Sequence, residues 1–330
     1  LVNKQKIGEI VDSLELKEGD IVIEIGPGHG ELTEEIGLRI KDVRIIGIEK
    51  DEGLANELAE KFQIPNCKLQ INSKLQIQNY KNFIIVGDAL KIIPMLTAKY
   101  RIQNTKYKLV GNIPYYITGK LLRVIGELEH MPELAVLTVQ KEVAERLAAK
   151  PPRMNLLAAS VQFWADAEII GYILRGDFRP VPKLNSAIVK LRIKDPAYAE
   201  ASAGRQGLRI KDQTRISRGS AGKTLIDADQ YYQLIRVLFK QPRKTILNNL
   251  ATEKQKNLKT EEQGRGGEKN RLRGKLIELG IDPDDRPQVL GVEEIKKIAK
   301  YLIKSKYEEG DTHGFFFRSC SFPWECDFFL

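Results

Sequence analysis

Cysteine is scarce in this chain. Three in 330 residues, Cys67, Cys320 and Cys326, are too few and too scattered for a disulfide framework. Neither they nor the three histidines, His29, His130 and His313, show zinc-ligand spacing, so no structural metal is expected. An apolar run of the roughly 18 residues needed to span a bilayer is missing. The first residues also lack the charged, apolar and small-residue zones of a secretory signal. These absences point to a cytoplasmic protein with no membrane partner. What is present is ordinary core material. With 42% hydrophobic residues, the chain can pack one large domain and a smaller one.

Charge is unevenly spread. The formal net charge is +9, and residues 204–275 alone hold 18 Lys and Arg against 7 Asp and Glu. A block of that kind reads equally as a phosphate-binding surface and as a disordered segment.

Up to about residue 110, short β-branched runs alternate with amphipathic charged segments. The runs are Ile21–Ile25, Val43–Ile48, Phe83–Val86 and Lys108–Val110. Apolar stretches of this length between helical patterns are buried parallel strands of a doubly wound α/β domain. Helices are predicted over 3–14, 31–41, 51–62, 118–129 and 139–149, and further strands near 133–138, 167–174 and 186–193. After Asp195 the composition turns to Ala, Gly, Ser and Arg, and Leu191-Arg-Ile-Lys-Asp195 recurs as Leu208-Arg-Ile-Lys-Asp212. Residues 196–228 therefore read as a duplicated low-complexity insertion. Helical patterning resumes at 229–239 and, after a polar stretch over 252–268, at 269–279 and 292–304. The expected organisation is a catalytic domain over 1–195, the insertion, a small helical domain over 229–305 and a tail over 306–330. The tail, with Phe315-Phe-Phe317 and Trp324, reads as disordered or aberrantly encoded, the alternative being a hydrophobic docking peptide.

The strand at Ile21 runs through Glu24 into Gly26-Pro-Gly-His-Gly30 and then Glu31-Leu-Thr33, which can open a helix. Glycines let backbone pass close to a ligand, and a helix N-terminus offers free N–H donors. A tight strand-to-helix turn uses the same residues, but the spacing is G-x-G-x-G, not the dinucleotide G-x-G-x-x-G. Glu49 ends the second strand, placed either to accept both hydroxyls of an adenosine ribose or to sit as a solvated acid. Asp88, after the third strand, can accept from an adenine amino group or cap a helix. Gly222-Lys-Thr224 resembles the end of a phosphate loop, but its required first glycine falls at Ser217.

The fourth strand ends in Gly111-Asn-Ile-Pro-Tyr-Tyr116. Methylation of an aromatic amine meets one obstacle, a nitrogen lone pair delocalised into the ring. Two acceptors, the Asn112 side-chain oxygen and the Ile113 carbonyl, can hold both N–H bonds so that the nitrogen pyramidalises. Pro114 stiffens the turn, and Tyr115 can stack on a flipped-out base. The same four residues are also acceptable turn chemistry.

At this point the sequence resembles the small-subunit ribosomal RNA adenine dimethyltransferases. Further marks are Gly47-Ile-Glu49, Gly87-Asp-Ala-Leu90, Gln140-Lys-Glu-Val-Ala144 with Arg146-Leu147, Phe178-Arg-Pro-Val-Pro-Lys183 with Ser186-Ala187, and Arg243-Lys-Thr245 with Asn249-Leu250. The resemblance implies a Rossmann-like, S-adenosylmethionine-dependent catalytic domain with a helical C-terminal domain that binds RNA. It implies N6,N6-dimethylation of two adjacent adenosines near the 3′ end of small-subunit RNA, by a monomer acting on a small-subunit precursor. Cofactor contacts are implied for Leu1, Glu24, Gly26, Gly28, Glu49, Asp88 and Asn112, and Phe178 is implied to stack on the base opposite Tyr115. From the residues alone, Phe178 reads as a packing aromatic.

Departures from the family pattern are also visible. Members usually carry a Gln-Asn-Phe-Leu-like segment covering the cofactor, and this chain opens on its last leucine, so part of that cover is expected to be missing. Pro242 stands where the first of two arginines is common, and Pro151-Pro-Arg-Met154 replaces a glycine-containing loop. Two rival readings are a large-subunit adenine methyltransferase of the antibiotic-resistance type and an RNA-binding assembly factor with impaired chemistry. The segment Gln140 to Leu147 favours the small-subunit enzyme over the first, and the intact Asn112 to Tyr115 motif speaks against the second. A nicotinamide dehydrogenase would need the other glycine spacing.

Overall fold

A computed structural model describes residues 1–68, 82–99, 106–194, 228–257 and 265–308. The chain divides into two compact units. One is Leu1–Ala148 with the described part of Trp164–Ala199, and the other is Ala149–Phe163 with the described residues beyond 200.

In chain order the first unit runs α1 (Lys4–Ser13), β1 (Ile21–Ile25), α2 (Glu31–Arg39), β2 (Arg44–Glu49), α3 (Glu52–Phe62), β3 (Asn66–Lys68), β4 (Phe83–Val86), α4 (Ala89–Lys99) and β5 (Tyr107–Asn112). It continues with α5 (Thr118–Gly126), β6 (Leu134–Gln140) and α6 (Lys141–Leu147), then β7 (Ala165–Ile173) and β8 (Ser186–Ile193). Among the described residues the strands form one sheet in the order β3-β4-β2-β1-β5-β6-β8-β7. All neighbours are parallel except β8, which lies antiparallel between β6 and β7. The order reverses between β1 and β5, so the crevice of a doubly wound sheet opens above their C-terminal ends.

Burial explains why the strands are continuous apolar runs. Val22, Ile23 and Ile25 are all buried, because helices cover both faces of β1. β7 at the edge instead alternates buried or half-buried residues with exposed ones. One apolar cluster joins Ile10 and Val11 of α1, Leu14 just after it and Ile36 of α2 to Val22, Val110, Val136 and Ile188 of the sheet. At the opposite, N-terminal edge, the buried ammonium of Lys108 donates to the Glu15 carbonyl and to Asp20. Glu15 is held at a pKa of about 2 by hydrogen bonds from Arg192 and Lys190, which ties β8 to the turn after α1.

Several expected boundaries move. Val139 and Gln140 belong to β6 rather than to a helix, because they pair with Ala187 and Ser186 of β8. α4 was not visible as a period, since Pro94 lies inside it; Asp88 opens it by accepting from Leu90 N. β3 is a three-residue edge strand, too short to leave a pattern.

The second unit holds α7 (Leu156–Val161), α8 (Ala228–Lys240), α9 (Ile246–Asn257), α10 (Arg265–Glu278) and α11 (Val292–Glu308). Phe163 stacks on Tyr231 with ring centroids 4.2 Å apart, and Tyr231 Oη donates to the Ala159 carbonyl at 3.0 Å. Asn249 Nδ2 lies 3.2 Å from each of three carbonyls, those of Gln241, Lys244 and Thr245, closing the turn before α9. The polar stretch expected over 252–268 is helical at both ends, since α9 reaches Asn257 and α10 starts at Arg265. The insertion up to 227 and the tail from 309 lie outside the described residues, as do Cys320, Cys326 and His313. No helix among the described residues is long and apolar enough to cross a membrane.

Candidate active site

Four strand ends lie side by side above the sheet: β4, β2, β1 and β5 in spatial order. Each ends on, or hands the chain to a loop carrying, one of the residues singled out in the sequence. The parallel ladder extends one bond beyond the strands, with Gly26 N donating to Ile48 O at 2.9 Å, Gly87 N to Glu49 O at 2.7 Å and Ile113 N to Thr138 O at 3.2 Å. These bonds fix where the loops leave the sheet.

Gly26, Gly28 and Gly30 have φ of 64°, 60° and 85°, a region that favours glycine. Their surroundings differ. A Cβ on Gly26 or Gly28 would meet nothing within 4 Å, whereas one on Gly30 would come within 2.6 Å of Phe62 and 2.7 Å of Leu58. Gly30 is thus required by packing, and the space over Gly26 and Gly28 is open to a ligand.

Glu49 is buried at the end of β2. Its Oε2 accepts from Gly28 N at 3.1 Å and its Oε1 from Asp51 N at 3.0 Å, so the carboxylate braces the glycine loop. Each carboxylate oxygen can accept two hydrogen bonds, which leaves capacity toward a pair of hydroxyls. Asp88 is half-buried, with one oxygen used by Leu90 N. Open space over two glycines, flanked by two carboxylates with spare acceptor capacity, fits a nucleoside-type ligand.

Glu24 sits differently. It is 1% exposed, and its Oε2 accepts from Thr33 Oγ1 of α2 at 2.6 Å. Burial pushes its pKa up to about 7, with the charges of Glu31 and Glu49 adding and the Thr33 hydrogen bond opposing. Its carboxylate serves the interior beneath the loop.

Asn112 ends β5, half-buried and opposite Thr138 of β6. Ile113 is buried and Pro114 exposed, and Tyr115 starts a 3-10 turn to Ile117. Tyr115 Oη lies 2.8 Å from Ser186 Oγ at the start of β8. Phe178 is 7% exposed and belongs to the apolar cluster beneath α1, against which Leu1 packs. The packing reading of Phe178 describes this conformation. Asp177, just before it, is bonded to the start of the chain, with Asn3 Nδ2 donating to Oδ1 at 2.8 Å. Ser186 and Asp177 escaped the sequence reading as site-shaping residues. Ser186 was one letter of a motif, and Asp177 carried no local signal.

The profile of the ribosomal RNA adenine dimethylase family matches residues 1–203. A protein of Dehalococcoides mccartyi named ribosomal RNA small subunit methyltransferase A is 36% identical over 299 residues, 90% of this chain and 84% of that protein. One of the same name from Caldanaerobacter subterraneus is 29% identical over 305 residues, 92% of this chain and 94% of that protein. Among solved structures, a dimethyladenosine transferase from Plasmodium falciparum matches with a TM-score of 0.63 at 21% identity, covering 96% of this chain and 99% of that one. The 23S rRNA methyltransferase ErmE matches with a TM-score of 0.58, also at 21% identity, over 90% of this chain and 97% of that one. At such identities the two structures speak for the fold alone, a Rossmann-like domain followed by helices. The profile and the curated relatives go further and, joined to the strand-end loops described above, make this chain a member of the ribosomal RNA adenine dimethylase family.

Proposed function

We propose that the chain transfers methyl groups from S-adenosylmethionine to the N6 amino groups of two adjacent adenosines near the 3′ end of small-subunit ribosomal RNA. The carrying observation is the placement of Glu49, Asp88 and the Asn112–Tyr115 segment on neighbouring strand ends beside an open glycine loop. The names of the curated relatives supply the substrate class.

In this reading Gly26 and Gly28 bring backbone against the cofactor, Glu49 takes the ribose hydroxyls, Asp88 takes the adenine amino group, and Leu1 covers the site. Glu24 acts from below by holding Thr33 and with it the start of α2. When bound, S-adenosylmethionine supplies an electrophilic methyl group on a sulfonium. The protein's task is to present a nucleophile. Asn112 Oδ1 and the Ile113 carbonyl accept the two amino hydrogens, drawing the nitrogen out of conjugation and aiming its lone pair. Pro114 keeps the two acceptors in register, and Tyr115 stacks on the extruded base. Phe178 reaches the opposite face of that base only by leaving the apolar cluster. Once the methyl has transferred, the extra proton on nitrogen leaves to solvent.

The protein acts as a monomer on a cytoplasmic small-subunit precursor, with its basic C-terminal part on the RNA. Primer extension on ribosomal RNA from cells with and without the protein tests the assignment. Stops confined to the small-subunit 3′ end are expected, and stops confined to large-subunit RNA would reject it in favour of the antibiotic-resistance type.

A further inference from the structure

Of the two adjacent tyrosines after Pro114, one is exposed and one is held. Tyr116 is 70% exposed. Tyr115 is half-buried, and its phenol oxygen lies 2.8 Å from Ser186 Oγ, with either hydroxyl able to donate. Ser186 is fully buried and opens β8, where it pairs with Gln140 on one side and Ile173 on the other. Antiparallel neighbours on both sides fix the direction of its side chain. A tyrosine ring tethered only at its root turns about two bonds, and ordering it when a base arrives costs entropy. A second tether at the far end of the ring removes that freedom before the base arrives.

We infer that Ser186 is a positioning residue, setting the plane of the Tyr115 ring and through it the pose of the target adenine over Asn112. The inference rests on the reading of Tyr115 as the stacking residue. Its cause lies in the topology. The antiparallel strand inserted between β6 and β7 places a small hydroxyl residue where the catalytic loop can reach it, 71 positions away in sequence. Alanine at 186 leaves the phenol without its partner, and the ring is then free to misalign the base.

The test is steady-state methylation of small-subunit particles by the full chain carrying S186A, S186T, Y115F, Y115A or S186A with Y115F. Cofactor affinity and thermal melting are followed alongside. S186A and Y115F should each lower kcat about tenfold, inside the roughly hundredfold that an ångström of misplacement costs. Cofactor affinity should stay within about twofold, because neither hydroxyl is among the groups proposed to hold the cofactor. The double variant should be no worse than either single one, and S186T should restore most of the rate. Unchanged kcat in S186A, or losses that multiply in the double variant, would overturn the inference. Should S186A fail to fold, Y115F carries the same test, since it removes only the phenol oxygen. If Y115A retains full activity, the reading of Tyr115 itself fails; if Y115A is inactive while S186A and Y115F are normal, only the role of Ser186 fails.

Discussion

Asn3 and Asp177 are joined by a hydrogen bond of 2.8 Å across 174 positions of sequence. Around it the contacts are reciprocal. Asn3 Oδ1 caps α1 by accepting from Lys6 N at 3.2 Å, and Val2 N donates to the Asp177 carbonyl at 2.8 Å. The second carboxylate oxygen of Asp177 accepts from Leu174 N at 3.0 Å. One side chain therefore orders both the entry to the first helix and the turn that delivers Phe178.

Asp177→Ala should loosen both ends together. Loss of charge-assisted hydrogen bonds at a half-buried site costs on the order of 1–2 kcal/mol. Chemical denaturation should show that loss, and hydrogen exchange should quicken at Val2, Lys6 and Leu174. Faster exchange at only one of the two segments would contradict the coupling.

Glu24 gives the fold a pH dependence of definite sign. Its pKa rises from 4.5 in the usual case to about 7, chiefly through burial, so the folded state favours the protonated acid. The stabilisation is complete below about pH 4.5 and gone once the pH has passed about 7, amounting to roughly 3 kcal/mol at most. Glu24→Gln keeps an acceptor for Thr33 and carries no proton to lose. Its stability should be flatter across that window, as equilibrium unfolding in a pH series will show. A parallel slope in the two proteins would mean that Glu24 does not titrate there.

Gly28 and Gly30 of the loop should fail in different ways. Gly30→Ala drives a Cβ into Phe62 and Leu58 and should cost stability first, about 2 kcal/mol or more. Gly28→Ala meets open space and should cost about 1–2 kcal/mol for its left-handed φ, but it should weaken cofactor binding more than Gly30→Ala at matched stability. Melting curves with and without S-adenosylmethionine separate the two.

Glu49 and Asn112 divide binding from chemistry. Glu49→Ala removes the brace on Gly28 N and Asp51 N together with the acceptor proposed for the ribose, so the cofactor Kd should rise at least about tenfold. Asn112→Ala should leave Kd within a few-fold and lower kcat by about a hundredfold to a thousandfold, the usual loss for one preorganised polar group. Equal losses of affinity and rate in both variants would contradict the assigned roles.

Strands β1, β2, β4 and β5 were legible because a buried parallel strand is a short apolar run, β6, β7 and β8 form within two residues of their expected bounds, and Glu49, Asp88 and Asn112 stood out because each lies within two residues of the end of an apolar run. What local patterns cannot report is which distant side chains the sheet order brings together. Tyr115 with Ser186 and Asn3 with Asp177 are contacts of that kind. Nor does a period survive a proline, which hid α4, or emerge from six residues, which hid α7. The grouping of 149–163 with the C-terminal helices follows from aromatic packing of Phe163 on Tyr231, which sequence proximity to Trp164 obscures.

In the proposed reaction the loop from Asn112 to Tyr115 presents adenine of small-subunit RNA to the methyl donor. Mass spectrometry of RNA digested after incubation of small-subunit particles with the protein and S-adenosylmethionine tests it most directly. N6,N6-dimethyladenosine is expected in the oligonucleotide carrying the two adjacent adenosines near the 3′ end, forming at least about a hundredfold more slowly with Asn112→Ala. Unmodified small-subunit RNA in the presence of protein that binds the cofactor, or modification at an undiminished rate with Asn112→Ala, would contradict it.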